Sequence, residues 1–342
     1  MAKQAYVANF GSGTVSVIDL QTNTKITDIT VGTVGTKPYS IEIMPGKKRA
    51  YVTNQGSANV SVLDIQTNTK ITDIAVGNVP ASIAITPDGK RAYVGNFSSG
   101  SVSVIDIQTN TKLTDVTVGS QPVHIAITPD GKRTYVVNDG NNTVSVIDIQ
   151  TNTKIKDITV GVVPVHIAIT PDGKRAYVAN QGSANVSVID TQTNTKVTDI
   201  STPVGTAPGF TAITPDGKRA YVANNDYVSI VSVIDIQTNT KITDITAGND
   251  NAHIAITPDG KLAYVANVLS NTVSVIDIQT NTKIKDIAVG TTPSYVATTP
   301  DGKRAYVANQ GSGNISVIDL QSNAKLTDIT VGTTPINIAI NP

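Results

Sequence analysis

The tetrapeptide Tyr-Val-x-Asn occurs eight times in this chain of 342 residues, at Tyr6, Tyr51, Tyr93, Tyr135, Tyr177, Tyr221, Tyr264 and Tyr306. Successive tyrosines are separated by 45, 42, 42, 42, 44, 43 and 42 residues. Self-similarity at about 40–50 residues marks a propeller or an array, whose units cannot bury their own faces and must pack against neighbours. Length alone would suggest two domains; the repeat instead predicts one domain over residues 1–342.

A single unit reads as four strands, labelled A to D from the inside outward. Pro122-Val123-His124-Ile125-Ala126-Ile127-Thr128 alternates apolar with small or polar residues and is strand A. The turn Pro129-Asp130-Gly131-Lys132 places proline where φ is fixed and glycine where φ is positive, so strand B, around Tyr135, returns antiparallel. Strand C covers Val144 to Ile149, and a second hairpin at Gln150-Thr151-Asn152-Thr153-Lys154 leads into strand D, with asparagine suited to the left-handed position. No stretch sustains a helical apolar period, so the expected fold is all-β.

The ends predict how the ring closes. The chain begins in a strand B and ends in a strand A, and Asn341-Pro342 followed by Met1-Ala2-Lys3-Gln4-Ala5-Tyr6 aligns with Thr299-Pro300 followed by Asp301-Gly302-Lys303-Arg304-Ala305-Tyr306. The expectation is a closed eight-bladed propeller in which the last strand joins the first three to make one blade, removing the open edges of an array.

These repeats, preceded by Ile-Ala-Ile-Thr-Pro-Asp-Gly-Lys-Arg-Ala as at residues 167–176, resemble the YVTN β-propeller repeat family over essentially the whole chain. The resemblance implies a propeller, often of seven blades, and often a bacterial or archaeal cell-surface or surface-layer protein. Related propellers include lactonase-like and lyase-like enzymes, although fold alone does not transfer an activity.

Composition narrows the partners. Lysine plus arginine and aspartate plus glutamate both total 26, so no basic face for nucleic acid is expected. The apolar runs fall far short of the roughly 18–20 residues of a membrane helix, and cysteine is absent, which removes disulfides and thiolate metal sites. Met1 to Tyr6 enters the first repeat with no signal peptide. The chain therefore either stays in the cell or is the mature piece of an exported protein; the family resemblance favours the cell surface.

Differences between the copies point to candidate sites. Three insertions, at 31–38, 201–208 and 225–230, fall in D–A or B–C loops and therefore at one end of the blades, where variable loops commonly bind. One position of strand A holds Ser40, Ser82, His124, His166, Phe210, His253, Tyr295 and Asn337, which should form a binding ring near the mouth of the axial channel. His124 and His166, on adjacent blades, are the candidate metal ligands, set against the plainer reading of polar residues lining a wet channel. Glu42 is the only glutamate and stands where the other seven copies have alanine; with His124 and His166 it is the candidate for acid–base catalysis. The repeated aspartates are expected to cap turns and the repeated tyrosines to pack and hydrogen-bond between blades.

The reading that follows is a non-enzymatic binding or structural propeller, monomeric and without a cofactor, that engages a protein or glycan through the variable loop face. The alternative is a lactonase- or lyase-like enzyme, or a small-molecule or metal binder, working at the channel mouth. A third reading takes the near-identical units as recent duplication with little selected function.

Overall fold

The computed structural model describes residues 3–33, 35–46, 48–202, 207–225 and 229–341. Eight four-stranded antiparallel sheets make up these residues, and the only helical element among them is the 3-10 turn Asp139–Asn141. Blade 1 consists of Gln4–Asn9, Thr14–Asp19 and Thr24–Thr30 together with Pro335–Asn341. Blades 2 to 8 follow in order at 38–75, 80–117, 122–159, 164–201, 208–246, 251–288 and 293–330. The predicted closure is present: Gln4 pairs with Asn341, Tyr6 with Ala339 and Val7 with Ile338. The expected approach of Pro342 to Met1 lies outside the described residues. So do the centres of the three insertions, at 34, 203–206 and 226–228.

The hairpins form for the reasons their residues suggest. In the A–B turn of blade 4, Asp130 Oδ1 accepts from the Thr128 hydroxyl at 2.6 Å and from the Lys132 N–H at 3.1 Å, while Gly131 adopts φ +67°. In the C–D turn Asn152 takes φ +56°, and the asparagine at this position does the same in every blade.

Strand A of each blade packs against strand A of both neighbours, whereas the D strands barely meet, so the A strands surround the axis. The core is divided into eight clusters, each shared by two adjacent blades. One joins Tyr135, Val137, Val144 and Val146 of blade 4 to Ile167, Ala176, Val178 and Ile189 of blade 5. Burying an aliphatic side chain of this size is worth about 1.5–3 kcal/mol, so cohesion between blades rests on these faces.

Both polar residues of the tetrapeptide are structural. The asparagine donates to a strand C serine, which donates to a strand D aspartate that also holds a lysine: Asn180 to Ser187 at 2.9 Å, Ser187 to Asp199 at 2.5 Å, Lys196 to Asp199 at 2.7 Å. The tyrosine hydroxyl instead reaches the next blade, where it donates to the left-handed asparagine of the C–D turn, as from Tyr93 to Asn152 at 2.7 Å.

Candidate functional site

The D–A and B–C loops share one end of the barrel-like ring, as the bond from the Phe10 N–H to the Thr334 carbonyl at 2.9 Å demonstrates. Just inside that end, each strand A is irregular in register, as between Pro122 and His124. All eight predicted ring residues, Ser40, Ser82, His124, His166, Phe210, His253, Tyr295 and Asn337, line one axial cavity of about 730 Å³. Glu42 lines it as well.

The ring is not uniform. Blades 4 to 8 supply five aromatic side chains that lean on one another in an arc: centroid separations are 4.0 Å for His124–His166, His166–Phe210 and Phe210–His253, and 3.8 Å for His253–Tyr295. Asn337, Ser40 and Ser82 complete the circle with smaller groups. Backbone groups tie the ring together from blade to blade. The Thr211 N–H donates to His166 Nδ1 at 3.4 Å, the Ile125 N–H to Ser82 Oγ at 3.3 Å, and the Ile41 N–H to Asn337 Oδ1 at 3.4 Å. Below the small residues the cavity continues along blades 2 to 4, past Ile83, Ile85 and Ile127 to Pro87. The passage therefore lies to one side of the axis.

Burial sets the protonation states. His124 is pushed down to about 4 and His253 to about 3, and His166 falls well below the usual histidine range through burial and the neighbouring histidines. The three imidazoles are neutral at pH 7. A lone pair on His166 Nδ1 is occupied by the Thr211 N–H, which leaves its Nε2 to carry the proton. Glu42 is open to water within the channel yet walled by protein, and burial pushes its carboxyl up to about 7. Tyr295 is raised to about 12, first by burial and then by the Glu42 charge, with Asn337 opposing.

Glu42, two residues beyond the ring position on its strand A, lines the same cavity as His124 and His166. Its charge adds to the upward shift of Tyr295, and the histidines lower one another. His124 and His166 stack with their rings tilted by 38°, and no group of three His, Cys, Asp or Glu converges on a point among the described residues.

Tyr39 and Gln310 belong to the cavity lining and escaped the sequence reading. Tyr39 is 42% exposed beside the mouth, with its ring edge-on to Phe10 at 6.3 Å, and Lys37 lies over the Phe10 face at 5.6 Å. The signal was available: Tyr39 adjoins Ser40 in the same divergent copy that carries Glu42, where the other copies place smaller or aliphatic residues.

The profile described as lactonase, 7-bladed β-propeller, matches residues 4–122, 116–204 and 189–335. The chain belongs to this lactonase-type β-propeller family. It carries eight blades where the family description names seven. Among solved structures, hydrazine synthase of Kuenenia stuttgartiensis is similar at 27% identity and TM-score 0.69, covering 82% of this chain and 95% of that one. The dihydro-heme d1 dehydrogenase NirN, in complex with DHE, shares the fold at 16% identity and TM-score 0.83, covering 98% of this chain and 74% of that one. A candidate 6-phosphogluconolactonase from Bacteroides fragilis shares it at 19% identity and TM-score 0.68, covering 100% and 98%. No curated protein matches the sequence significantly.

These findings correct the expectation of a non-enzymatic surface propeller. The family profile favours the lactonase-like alternative over that reading.

Proposed function

We propose that this chain hydrolyses a small cyclic ester, a lactone, in its axial channel. The observation that carries the reading is the placement of the only glutamate in the chain, with its carboxyl raised to about 7, in a cavity roofed by an aromatic arc. A general base works best when its pKa lies near the working pH. The family membership supports the reaction class. The Tyr-Val-x-Asn repeat supports placing the chain with YVTN-type members of that broader family.

In the proposed reaction, the Glu42 carboxylate takes a proton from a water molecule as the water oxygen bonds to the lactone carbonyl carbon. The ring carbon–oxygen bond then breaks, and the departing oxygen receives the proton held by Glu42, giving an open hydroxy acid. The neutral Tyr295 hydroxyl is the donor suited to charge developing on the carbonyl oxygen, and the stacked rings of His124, His166 and Phe210 form the wall against which a compact ring rests. Hydrolysis of a panel of γ- and δ-lactones tests the proposal. Glu42→Gln should lower kcat about 10²–10⁴-fold with KM little changed. A wild-type rate no greater than that of buffer across the panel would overturn the reading.

A further inference from the structure

We infer that the channel is selective for an uncharged lactone and discriminates against phosphorylated or carboxylated ones. This rests on the lactone-hydrolase reading and adds the substrate class. Among the described residues, no lysine or arginine lines the axial cavity, and the titratable side chains that do are Glu42, the three histidines and the tyrosines Tyr39 and Tyr295.

The basic residues of the chain are held elsewhere. One lysine per blade is paired within strand D, as Lys112 is with Asp115 at 2.8 Å and Lys154 with Asp157 at 2.8 Å. A second set sits on the A–B hairpins at the far end, where Lys90 and Lys132 point to solvent beside Asp88 and Asp130. The strand B arginines are engaged away from the axis: Arg49 reaches the Ile107 carbonyl of the next blade at 2.8 Å, and Arg175 pairs with Asp190 of its own blade. Lys37 stands nearest the mouth, over the Phe10 ring rather than in the cavity lining.

Recognition of a phosphate or carboxylate calls for a forked guanidinium, an ammonium or a cluster of backbone N–H groups. Here the ring N–H groups of Ile41, Ile125 and Thr211 are occupied by Asn337, Ser82 and His166. An anion would also meet the Glu42 carboxylate in a walled site where charges are poorly screened. What the cavity otherwise offers is neutral: the hydroxyls of Ser40, Ser82, Ser294 and Tyr295, the Asn337 amide and the stacked aromatic rings. Ser294 Oγ is buried with no hydrogen-bond partner, and a hydroxyl on the substrate would supply one. That is a set of contacts for a polyhydroxylated, uncharged ring.

The test compares glucono-δ-lactone with its 6-phosphate, which share a reacting ring and differ in charge. Wild-type kcat/KM should favour the uncharged lactone by at least about tenfold. Ser40→Lys, which sets an ammonium on the small side of the ring, should move that ratio toward the phosphate ester, with a thermal melt confirming folding. Equal or better turnover of the phosphate by wild type overturns the inference and leaves lactone hydrolysis standing. If neither lactone is turned over, the hydrolase reading fails, and binding of 1,5-anhydroglucitol against its 6-phosphate decides selectivity alone. Tighter binding of the uncharged compound supports the inference; equal binding, tighter phosphate binding or no binding of either overturns it.

Discussion

Tyr306 donates its hydroxyl proton to Asn23 Oδ1 across 2.8 Å, although 283 positions separate the two residues along the chain. It is the closing member of a circle of such contacts: Tyr6 meets Asn68, Tyr51 Asn110, Tyr93 Asn152, Tyr135 Asn194, Tyr177 Asn239, Tyr221 Asn281 and Tyr264 Asn323. Each tyrosine is fully buried, and each asparagine occupies the left-handed corner of a hairpin in the following blade. The tetrapeptide thus secures every blade to its successor, including the last to the first.

Removing one of these hydroxyls should cost a measurable share of stability. Tyr306→Phe and Tyr93→Phe are each expected to lose about 0.5–1.5 kcal/mol in urea unfolding, since Asn23 Oδ1 and Asn152 Oδ1 each lose one of two donors and keep the other, Arg304 and Arg91. Asn23→Ala should cost more than Asn23→Gly, because alanine at φ +56° adds backbone strain that glycine avoids. Equal losses for alanine and glycine would show that the acceptor alone matters.

The polar relay inside a blade offers a second test. Ser187→Ala strips a partner from both Asn180 and Asp199 in one change and should destabilise by about 1–3 kcal/mol. Equilibrium unfolding of the variant would measure it, and a neutral outcome would mean that water replaces the hydroxyl without loss.

Deleting residues 335–341 leaves the strand Gln4–Asn9 with an open edge and takes Ile338 out of a shared core. Aggregation or a clear drop in unfolding midpoint is expected. Size-exclusion chromatography with light scattering reads the first, and denaturant titration the second. A monomer of unchanged stability would contradict closure by this strand.

The channel should give opposing pH signatures. Glu42 has its folded pKa raised from the ordinary value to about 7, so its contribution favours the folded state at acid pH and is lost as pH rises through that range. His124 and His253 are depressed to about 4 and 3, so their contribution is present above the usual histidine pKa and is lost as pH falls through the depressed values. Glu42→Gln should therefore gain stability relative to wild type between about pH 5 and 8. Wild-type lactone hydrolysis should rise through pH 7 as the base ionises, a limb absent from Glu42→Gln. Thermal melts and kcat/KM profiles of both proteins check the two signs.

Much of this was written in the chain at short range. Asp130-Gly131 and Asn152 name their turns because backbone geometry is decided within a few residues. The match of Asn341-Pro342 to Thr299-Pro300 foretells the closing strand because the repeat supplies its own template. The ring from Ser40 to Asn337 was likewise visible as one position in eight copies. What the copies do not encode is who faces whom across the axis. That the Glu42 charge is felt by Tyr295 depends on how strands from blades 2 and 8 converge on one cavity, and no local pattern carries that information. The lateral passage depends on Ser40 and Ser82 standing opposite an aromatic arc, and side-chain volume becomes a cavity only once the ring is drawn. The tyrosine-to-asparagine contacts were expected in kind, as bonding between blades, but their partners lie more than a full repeat away.

Nothing in the tyrosine contact specifies a number. Each one sets only the tilt of a blade against the blade before it, and the same instruction is issued eight times over. The count is therefore a property of the angle: units are added until the next tyrosine finds Asn23 already waiting. A single added copy would carry all the correct local contacts and still have no seat, because the circle would have been completed without it. Symmetry of this kind makes size a collective quantity, held by no residue and altered only by a small change of tilt repeated in every blade.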